Sequence, residues 1–195
     1  VIVPTYNRCV FVMEAVCSVI SQTFRDFDLL VVDDGSTDET GDFLEPMGEW
    51  LRYVRKPNGG ESSARNRGIL EAKTDYVAFL DDQDLWESNF LEVTMEHCRR
   101  HPEVGLVATT SSAAPGGTHR PCLKDSVLQG DLYPVLVMRN LVSPSGIVVK
   151  RECFERVGVF NESLYQGADY DMWLRIARAF PTASINQPLC QRRRH

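Results

Sequence analysis

Three carboxylates stand almost side by side at Asp81, Asp82 and Asp84, directly after the run Tyr76-Val77-Ala78-Phe79-Leu80. Carboxylates this close repel one another, so a cation or a set of hydrogen-bond donors must hold them together. Two more polar clusters follow short apolar runs in the same way. Thr5-Tyr6-Asn7 comes after Val1-Ile2-Val3-Pro4, and Asp33-Asp34 comes after Val31-Val32. Asp33 can accept hydrogen bonds from a base or ribose, Tyr6 can stack on a base, and Arg65 can neutralise phosphate. Each has a plainer alternative. The acidic loop can cap the helix that follows, Asp33 and Asp34 can do the same, Tyr6 can be core, and Arg65 can be a solvated helix residue.

The elements that would position these groups are short. Residues 76–80 are too few for a buried helix, and Val, Phe and Tyr favour strands. An unbroken apolar strand marks a parallel sheet buried on both faces. Further strands are expected at 1–3, 27–32, 51–54, 104–109 and 147–149. Helices are expected at 10–23, with Val12, Val16, Val19 and Ile20 on one face, and from a capping box at Ser36-Thr37-Asp38-Glu39. More helices are expected at 62–72, 90–99 and 152–157, and in a stretch from Gly167 through about Phe180. This alternation predicts an α/β fold: a Rossmann-like, mostly parallel central sheet with helices on both faces. In such a sheet the three polar clusters share the carboxyl edge, where ligands bind, and line one crevice. Residues 111–131 have no clear period and read as a functional loop such as a lid; specificity is expected within residues 111–140.

Composition narrows the function. With 195 residues, 43% hydrophobic and 25% charged, the chain is the size of one ordinary globular domain. It opens on strand-like sequence without a signal peptide and stops abruptly after Arg194 and His195, so it reads as a domain truncated at both ends. The net charge of −6 argues against nucleic acid as partner. No apolar run reaches the roughly 18 residues of a membrane span. The 6 cysteines, Cys9, Cys17, Cys98, Cys122, Cys153 and Cys190, form no close pair and read as reduced, buried thiols of a cytoplasmic protein. There is no GxGxxG after the first strand, no GxxxxGK[ST] and no G-x-S-x-G, which counts against a dinucleotide oxidoreductase, a P-loop phosphotransferase and a serine hydrolase.

Taken together, the blocks resemble a family 2 glycosyltransferase. Val1-Ile2-Val3-Pro4-Thr5-Tyr6-Asn7-Arg8 and Val31-Val32-Asp33-Asp34-Gly35-Ser36-Thr37-Asp38 look like its opening. Asn58-Gly59-Gly60 with Ser63-Ala64-Arg65-Asn66-Arg67-Gly68, then Phe79-Leu80-Asp81-Asp82-Gln83-Asp84-Leu85-Trp86, match the next two blocks. Gly167-Ala168-Asp169-Tyr170-Asp171-Met172-Trp173 resembles the acceptor-side block, and Arg193-Arg194-His195 a late one. The resemblance spans nearly the whole chain. It implies the glycosyltransferase A fold, with residues 1–110 as the nucleotide half and 111–195 as the acceptor half. It implies a nucleoside-diphosphate sugar donor, UDP-linked on our reading, and transfer with inversion to a hydroxyl of a glycan, lipid-linked or protein acceptor, as in polysaccharide or cell-envelope glycan synthesis. It also implies a divalent cation, Mn²⁺ or Mg²⁺, bound with the diphosphate.

By position, the resemblance places Pro4, Thr5, Tyr6, Asn7, Asp33, Arg65, Asp81 and Asp82 at the donor. It places Asp82, Gln83, Asp84 and His195 at the metal, and makes Asp169 the catalytic base. Asp169 as a simple helix cap is the plainer alternative. The sequence departs from the family twice. Aligned on Leu80 and Trp86, the third acidic position of the central loop is Gln83, and the family's Glu-Asp pair is Ala168-Asp169. Gln83 motivates a second reading, a domain that binds nucleotide sugars without turnover. A nucleotidyltransferase fits the element order but lacks the Gly-rich, basic first loop it would need. Localisation is read as cytoplasmic or peripheral to the membrane.

Overall fold

The structure, a computed structural model, describes residues 1–113, 132–138, 140 and 142–193. Three strands, β1 (Ile2–Thr5), β2 (Leu30–Asp33) and β3 (Arg52–Arg55), pair in parallel in the order β1-β2-β3. Five more, β4 (Tyr76–Ala78), β5 (Leu85–Trp86), β6 (Leu106–Ala113), β7 (Ile147–Lys150) and β8 (Thr182–Arg192), pair in the order β4-β7-β6-β8-β5. A parallel bridge from Ile2 to Phe79 joins the two sheets. The second sheet is mixed: β7 runs antiparallel to β4 and β6, β6 pairs parallel with β8, and β5 is antiparallel to β8. Strand β6 ends at the crevice edge and β7 starts there, entered from a 3-10 turn at Pro144–Gly146, so β7 must run back.

Helices α1 (Cys9–Ile20), α2 (Thr40–Leu44), α3 (Glu61–Glu71), α4 (Phe90–Arg100), α5 (Tyr133–Met138), α6 (Arg151–Val157) and α7 (Ala168–Ala179) cover the sheet. Successive strand residues point to opposite faces, and two cores result. Ile2, Leu30, Val32, Phe79, Leu106, Ile147 and Val149 pack with Ala64 and Ile69 of α3 and Met172, Trp173 and Ile176 of α7. Val3, Val31, Leu80, Val107 and Val148 pack with Val12, Val16 and Val19 of α1 and Phe90 and Leu91 of α4. The expected helices on both faces are therefore present, and the layered core follows from the mostly apolar, buried runs of β1, β2, β4 and β7. Gly68 fixes α3 on β1: a Cβ there would lie 2.5 Å from Cγ2 of Ile2, so any larger residue would push the helix off the strand.

Several expectations shift. The capping box at residues 36–39 does not form; α2 begins at Thr40, because Ser36 and Asp38 serve the β1 loop instead, Ser36 Oγ accepting from the Asn7 amide and Asp38 Oδ2 from the Cys9 amide. Strand β1 runs through Pro4 rather than stopping before it. Three elements, β5, β8 and α5, had no clear sequence signal. Strand β8 holds Asn186, Gln187 and Pro188 in its exposed middle, and its register against β6 shifts there by a bulge. The five described cysteines are free thiols; Cys98, Cys153 and Cys190 are buried as expected, while Cys17 is exposed. Among the described residues no helix is long and apolar enough to cross a membrane. Most of the expected lid at residues 111–131, and Cys122, lie outside the described residues.

Candidate functional site

The carboxyl ends of β1, β2 and β4 open on two adjoining cavities. The smaller, about 580 Å³, is lined by Pro4, Thr5, Tyr6, Arg8, Asp34, Asn58, Ala64 and Asp82, among others. The larger, about 1010 Å³, is lined by Ser62, Arg65, Asn140, Ser143, Asp169 and Arg192, among others. Gly60, Glu61, Asp81, Gln83 and Tyr165 line both. A further cavity of about 890 Å³ opens at the opposite strand ends, around Leu30, Arg52 and Tyr76, and contains none of the sequence-predicted residues. Ligands of open α/β sheets bind at carboxyl ends, so the first two define the candidate site.

The β1 loop is set by Asn7, whose φ of 53° is left-handed. Its side-chain oxygen accepts from the amides of Thr37 at 2.7 Å and Asp38 at 3.3 Å, and its own amide donates to Ser36 Oγ at 2.9 Å. Asn7 is therefore the hinge that aims its neighbours: Tyr6, 45% exposed, and Arg8 both face the smaller cavity.

Strand alternation then separates the two aspartates after β2. Asp33 falls on the α1 face, fully buried. Its Oδ1 accepts from the Ser36 amide at 2.8 Å, and its Oδ2 accepts from the Tyr53 hydroxyl and lies 3.9 Å from Arg55 Nε. Asp33 lines neither cavity. Asp34 falls on the α3 face and does; it accepts from Lys56 Nζ at 2.5 Å and from the amides of Gly59 and Gly60, fixing the turn that starts α3. Gly60 has a φ of 89°, which only glycine adopts without strain.

Arg65 is 3% exposed, stacked 5.5 Å from the Phe160 ring, and its Nη2 lies 2.6 Å from both Glu61 Oε1 and Asp81 Oδ1. Its Nε has no hydrogen-bond partner among the described residues. Burial raises the Glu61 carboxyl above its ordinary pKa against the pull of Arg65, and the charges of Asp81, Asp169 and Asp82 add to the rise.

The acidic loop divides by direction. Asp82, 5% exposed, accepts from Thr5 Oγ1 on Oδ2 and from Arg8 Nη1 on Oδ1, and burial pushes its pKa up. Gln83 Oε1 accepts from the same Arg8 nitrogen. Asp84 turns inward: 1% exposed, it accepts from Ser145 Oγ at 2.6 Å and the Arg193 amide at 3.3 Å, with its pKa pushed up to about 6 by burial. It lines neither cavity and serves as a structural pin for β7 and β8. Asp169, second residue of α7 after Gly167 in the left-handed region, faces the larger cavity and accepts from Asn140 Nδ2 at 3.2 Å. Its neighbour Ala168 is buried.

The fold therefore brings Pro4, Thr5, Tyr6, Arg65, Asp81, Asp82, Gln83 and Asp169 to one crevice, and leaves the side chains of Asn7, Asp33 and Asp84 outside it. His195 lies outside the described residues. No group of three or more His, Cys, Asp or Glu poised to hold a metal occurs among the described residues. Asp82 and Gln83 offer oxygens on one side only, so a cation would need the remaining oxygens from a ligand such as a diphosphate. Sequence reading passed over Arg8, Glu61 and Tyr165. Arg8 sits in the Thr5-Tyr6-Asn7-Arg8 block, and Glu61 stands four residues before Arg65 on a helix, which is a pairing distance; Tyr165 carried no signal.

The Glycosyl transferase family 2 sequence model matches residues 1–136. The chain belongs to that family. Among curated relatives, an uncharacterized glycosyltransferase of Rickettsia felis is 31% identical over 191 residues, covering 93% of this chain and 31% of its own length. Chondroitin synthase of Escherichia coli is 25% identical over 198 residues, covering 98% and 28%. The chain thus spans about a third of the first such relatives. Among solved structures, S. aureus TarS 1–349 in complex with UDP-GlcNAc superposes with a TM-score of 0.83 at 20% identity, over 100% of this chain and 58% of that one. Mannosyltransferase PcManGT from Pyrobaculum calidifontis, in complex with GDP-Man and Mn²⁺, gives 0.74 at 22%, over 97% and 55%. At these identities the likeness concerns the fold, which is the glycosyltransferase A fold.

Proposed function

We propose that this domain binds a nucleoside-diphosphate sugar, UDP-linked, across the two cavities and transfers the sugar to an acceptor hydroxyl with inversion. The observation that carries the reading is the shared wall, Gly60, Glu61, Asp81, Gln83 and Tyr165, between the cavity of Thr5, Tyr6 and Asp82 and the cavity of Asp169. A donor laid across that wall would have its nucleotide at β1 and its sugar toward Asp169. Tyr6 then stacks on the base, and Asp34, which is buried like Asp33 but lines the smaller cavity, is the aspartate nearer to it. Asp169 takes the proton of the acceptor hydroxyl as that oxygen attacks the anomeric carbon. A divalent cation held by Asp82 and Gln83 together with the diphosphate would offset the charge that grows on the leaving group. The UDP-GlcNAc of TarS and the GDP-Man and Mn²⁺ of PcManGT favour such a donor and cation without fixing either here. A glycan, lipid-linked or protein acceptor and a cytoplasmic or membrane-peripheral setting belong to the same proposal.

The test is incubation with UDP-, GDP-, dTDP- and CMP-sugars, with and without Mn²⁺, scoring nucleotide release and the anomeric configuration of the product by NMR. UDP release with an inverted product is the expected result. Binding without release favours the second reading, for which Gln83 at an acidic position is the specific observation.

A further inference from the structure

We infer that Arg8 is a built-in counter-cation at the Asp82–Gln83 pair, and that Arg8 and a divalent metal compete for the same two oxygens; the metal half of this inference rests on the proposed function. Nη1 of Arg8 lies 3.0 Å from Asp82 Oδ1 and 3.0 Å from Gln83 Oε1. One nitrogen therefore sits where two side-chain oxygens of adjacent residues converge, which is what a hard cation would also require. The other carboxylate oxygen, Oδ2, is already bonded to the Thr5 hydroxyl at 2.9 Å. Oδ1 is thus the oxygen left for a cation, and Arg8 holds it.

The energetics favour an occupant at all times. The Asp82 side chain is 7% exposed, and an unpaired buried carboxylate is costly. Burial raises its pKa, while Arg8 and Thr5 pull it down. A guanidinium stays charged at any working pH, so the pair is neutralised without metal. The occupant is also replaceable. The backbone of Arg8 follows the pinned Asn7 hinge, but its side chain is 45% exposed, so the head can leave while its root stays fixed. Arg8 lines the smaller cavity, where a diphosphate would offer the freed guanidinium another anion to bind. Metal affinity of the nucleotide-free protein is then lowered by the fraction of time Arg8 holds the pair.

The experiment measures Mn²⁺ binding to nucleotide-free protein by electron paramagnetic resonance, for wild type, Arg8→Ala, Arg8→Gln and Arg8→Lys. Loss of the charge is expected to tighten Mn²⁺ at least about tenfold in the Ala and Gln variants, if Arg8 holds the pair about nine-tenths of the time. Lys keeps a competing charge and should stay near wild type. Should the Ala variant misfold by circular dichroism, the Gln variant decides. Unchanged or weaker Mn²⁺ binding in a folded charge-removed variant overturns the inference. A parallel UDP titration of wild type separates the two readings: absence of UDP binding sinks the donor proposal, while the nucleotide-free Mn²⁺ comparison still decides the role of Arg8.

Discussion

The two sheets reach the crevice by different means. In the parallel sheet each strand runs into a loop that holds itself in shape with neighbours from the same sheet. Asn7 binds the turn after β2, Asp33 binds Tyr53 of β3, and Asp34 binds the turn after β3. In the mixed sheet the acidic loop is fixed by contacts farther apart in sequence: Asp84 is pinned by Ser145 and Arg193, and Trp86 donates its indole N–H to the Ser145 carbonyl at 2.6 Å. Asp169, on α7, meets Asn140 across a separation like that of Asn7 and Thr37. The side proposed for the nucleotide is thus a set of interlocked loops on one small scaffold. The side proposed for the acceptor is assembled from more remote pieces. Substitutions on the two sides should therefore separate donor binding from transfer.

The largest separation is expected at Asp169. Asp169→Asn removes the carboxylate that would accept the proton but keeps the size of the side chain and an oxygen able to accept from Asn140 Nδ2. Transfer should fall by roughly 10²-fold or more, with UDP affinity and melting temperature unchanged. Asp171→Asn is the control, because Asp171 pairs with Arg175 and lines neither cavity; it should cost under about 1 kcal/mol of stability and leave transfer intact. The opposite pattern would move the base to Asp171.

The next effect tests strand alternation on the nucleotide side. Asp34→Ala should weaken UDP binding by about 1–3 kcal/mol, the loss of a buried hydrogen-bonding group, and also lower stability, since it leaves Lys56 without its carboxylate and the Gly59 and Gly60 amides unpaired. Asp33→Ala should lower stability by a similar amount, since it leaves the Ser36 amide and Tyr53 hydroxyl unpaired, but disturb UDP less. Calorimetry with UDP and urea unfolding of both variants read the two effects independently. A larger loss of UDP affinity in Asp33→Ala would break the face assignment.

The same contrast explains what could be read from the sequence. The parallel half was legible because its strands are short apolar runs closed by polar clusters, a local signal. The choice between Asp33 and Asp34 was not, because period two fixes that they face opposite ways but not which face carries α3. Strand β8 was hidden by its polar middle and Pro188, and it forms because β6 supplies a partner along its length. Strand β5 is two residues inside an acidic loop and exists only by pairing with Cys190 and Gln191. Asp84 looked like a metal ligand for the same reason: spacing places it beside Asp82, and only the remote Ser145 shows why it turns inward.

A smaller effect is expected at Gln83. Gln83→Asp adds a charged oxygen beside Asp82, so Mn²⁺ binding to the nucleotide-free protein should tighten by roughly tenfold or less. Arg8 limits the gain, because the new carboxylate attracts the guanidinium as well. Tight Mn²⁺ binding by the unliganded wild type would contradict this account of a pair that depends on the diphosphate for its remaining ligands.

The smallest effect sharpens the claim that the nucleotide loops hold themselves. Asn7 contributes in two ways, a left-handed backbone and a side chain that accepts from the turn after β2. Asn7→Gly keeps the backbone geometry at no steric cost and loses the side-chain bonds, which are partly exposed, so about 1 kcal/mol of stability should go. Asn7→Ala loses the same bonds and adds the left-handed penalty of about 1–2 kcal/mol, so it should be the less stable of the two. Both variants loosen the hinge that aims Tyr6 and Arg8, so the donor KM should rise in the same order while kcat, which on the proposed function depends on Asp169 across the crevice, moves less. Equal stability of the Gly and Ala variants would show that the side-chain bonds alone matter. A fall in kcat as large as the rise in donor KM would show that the two sides of the crevice are coupled through this loop.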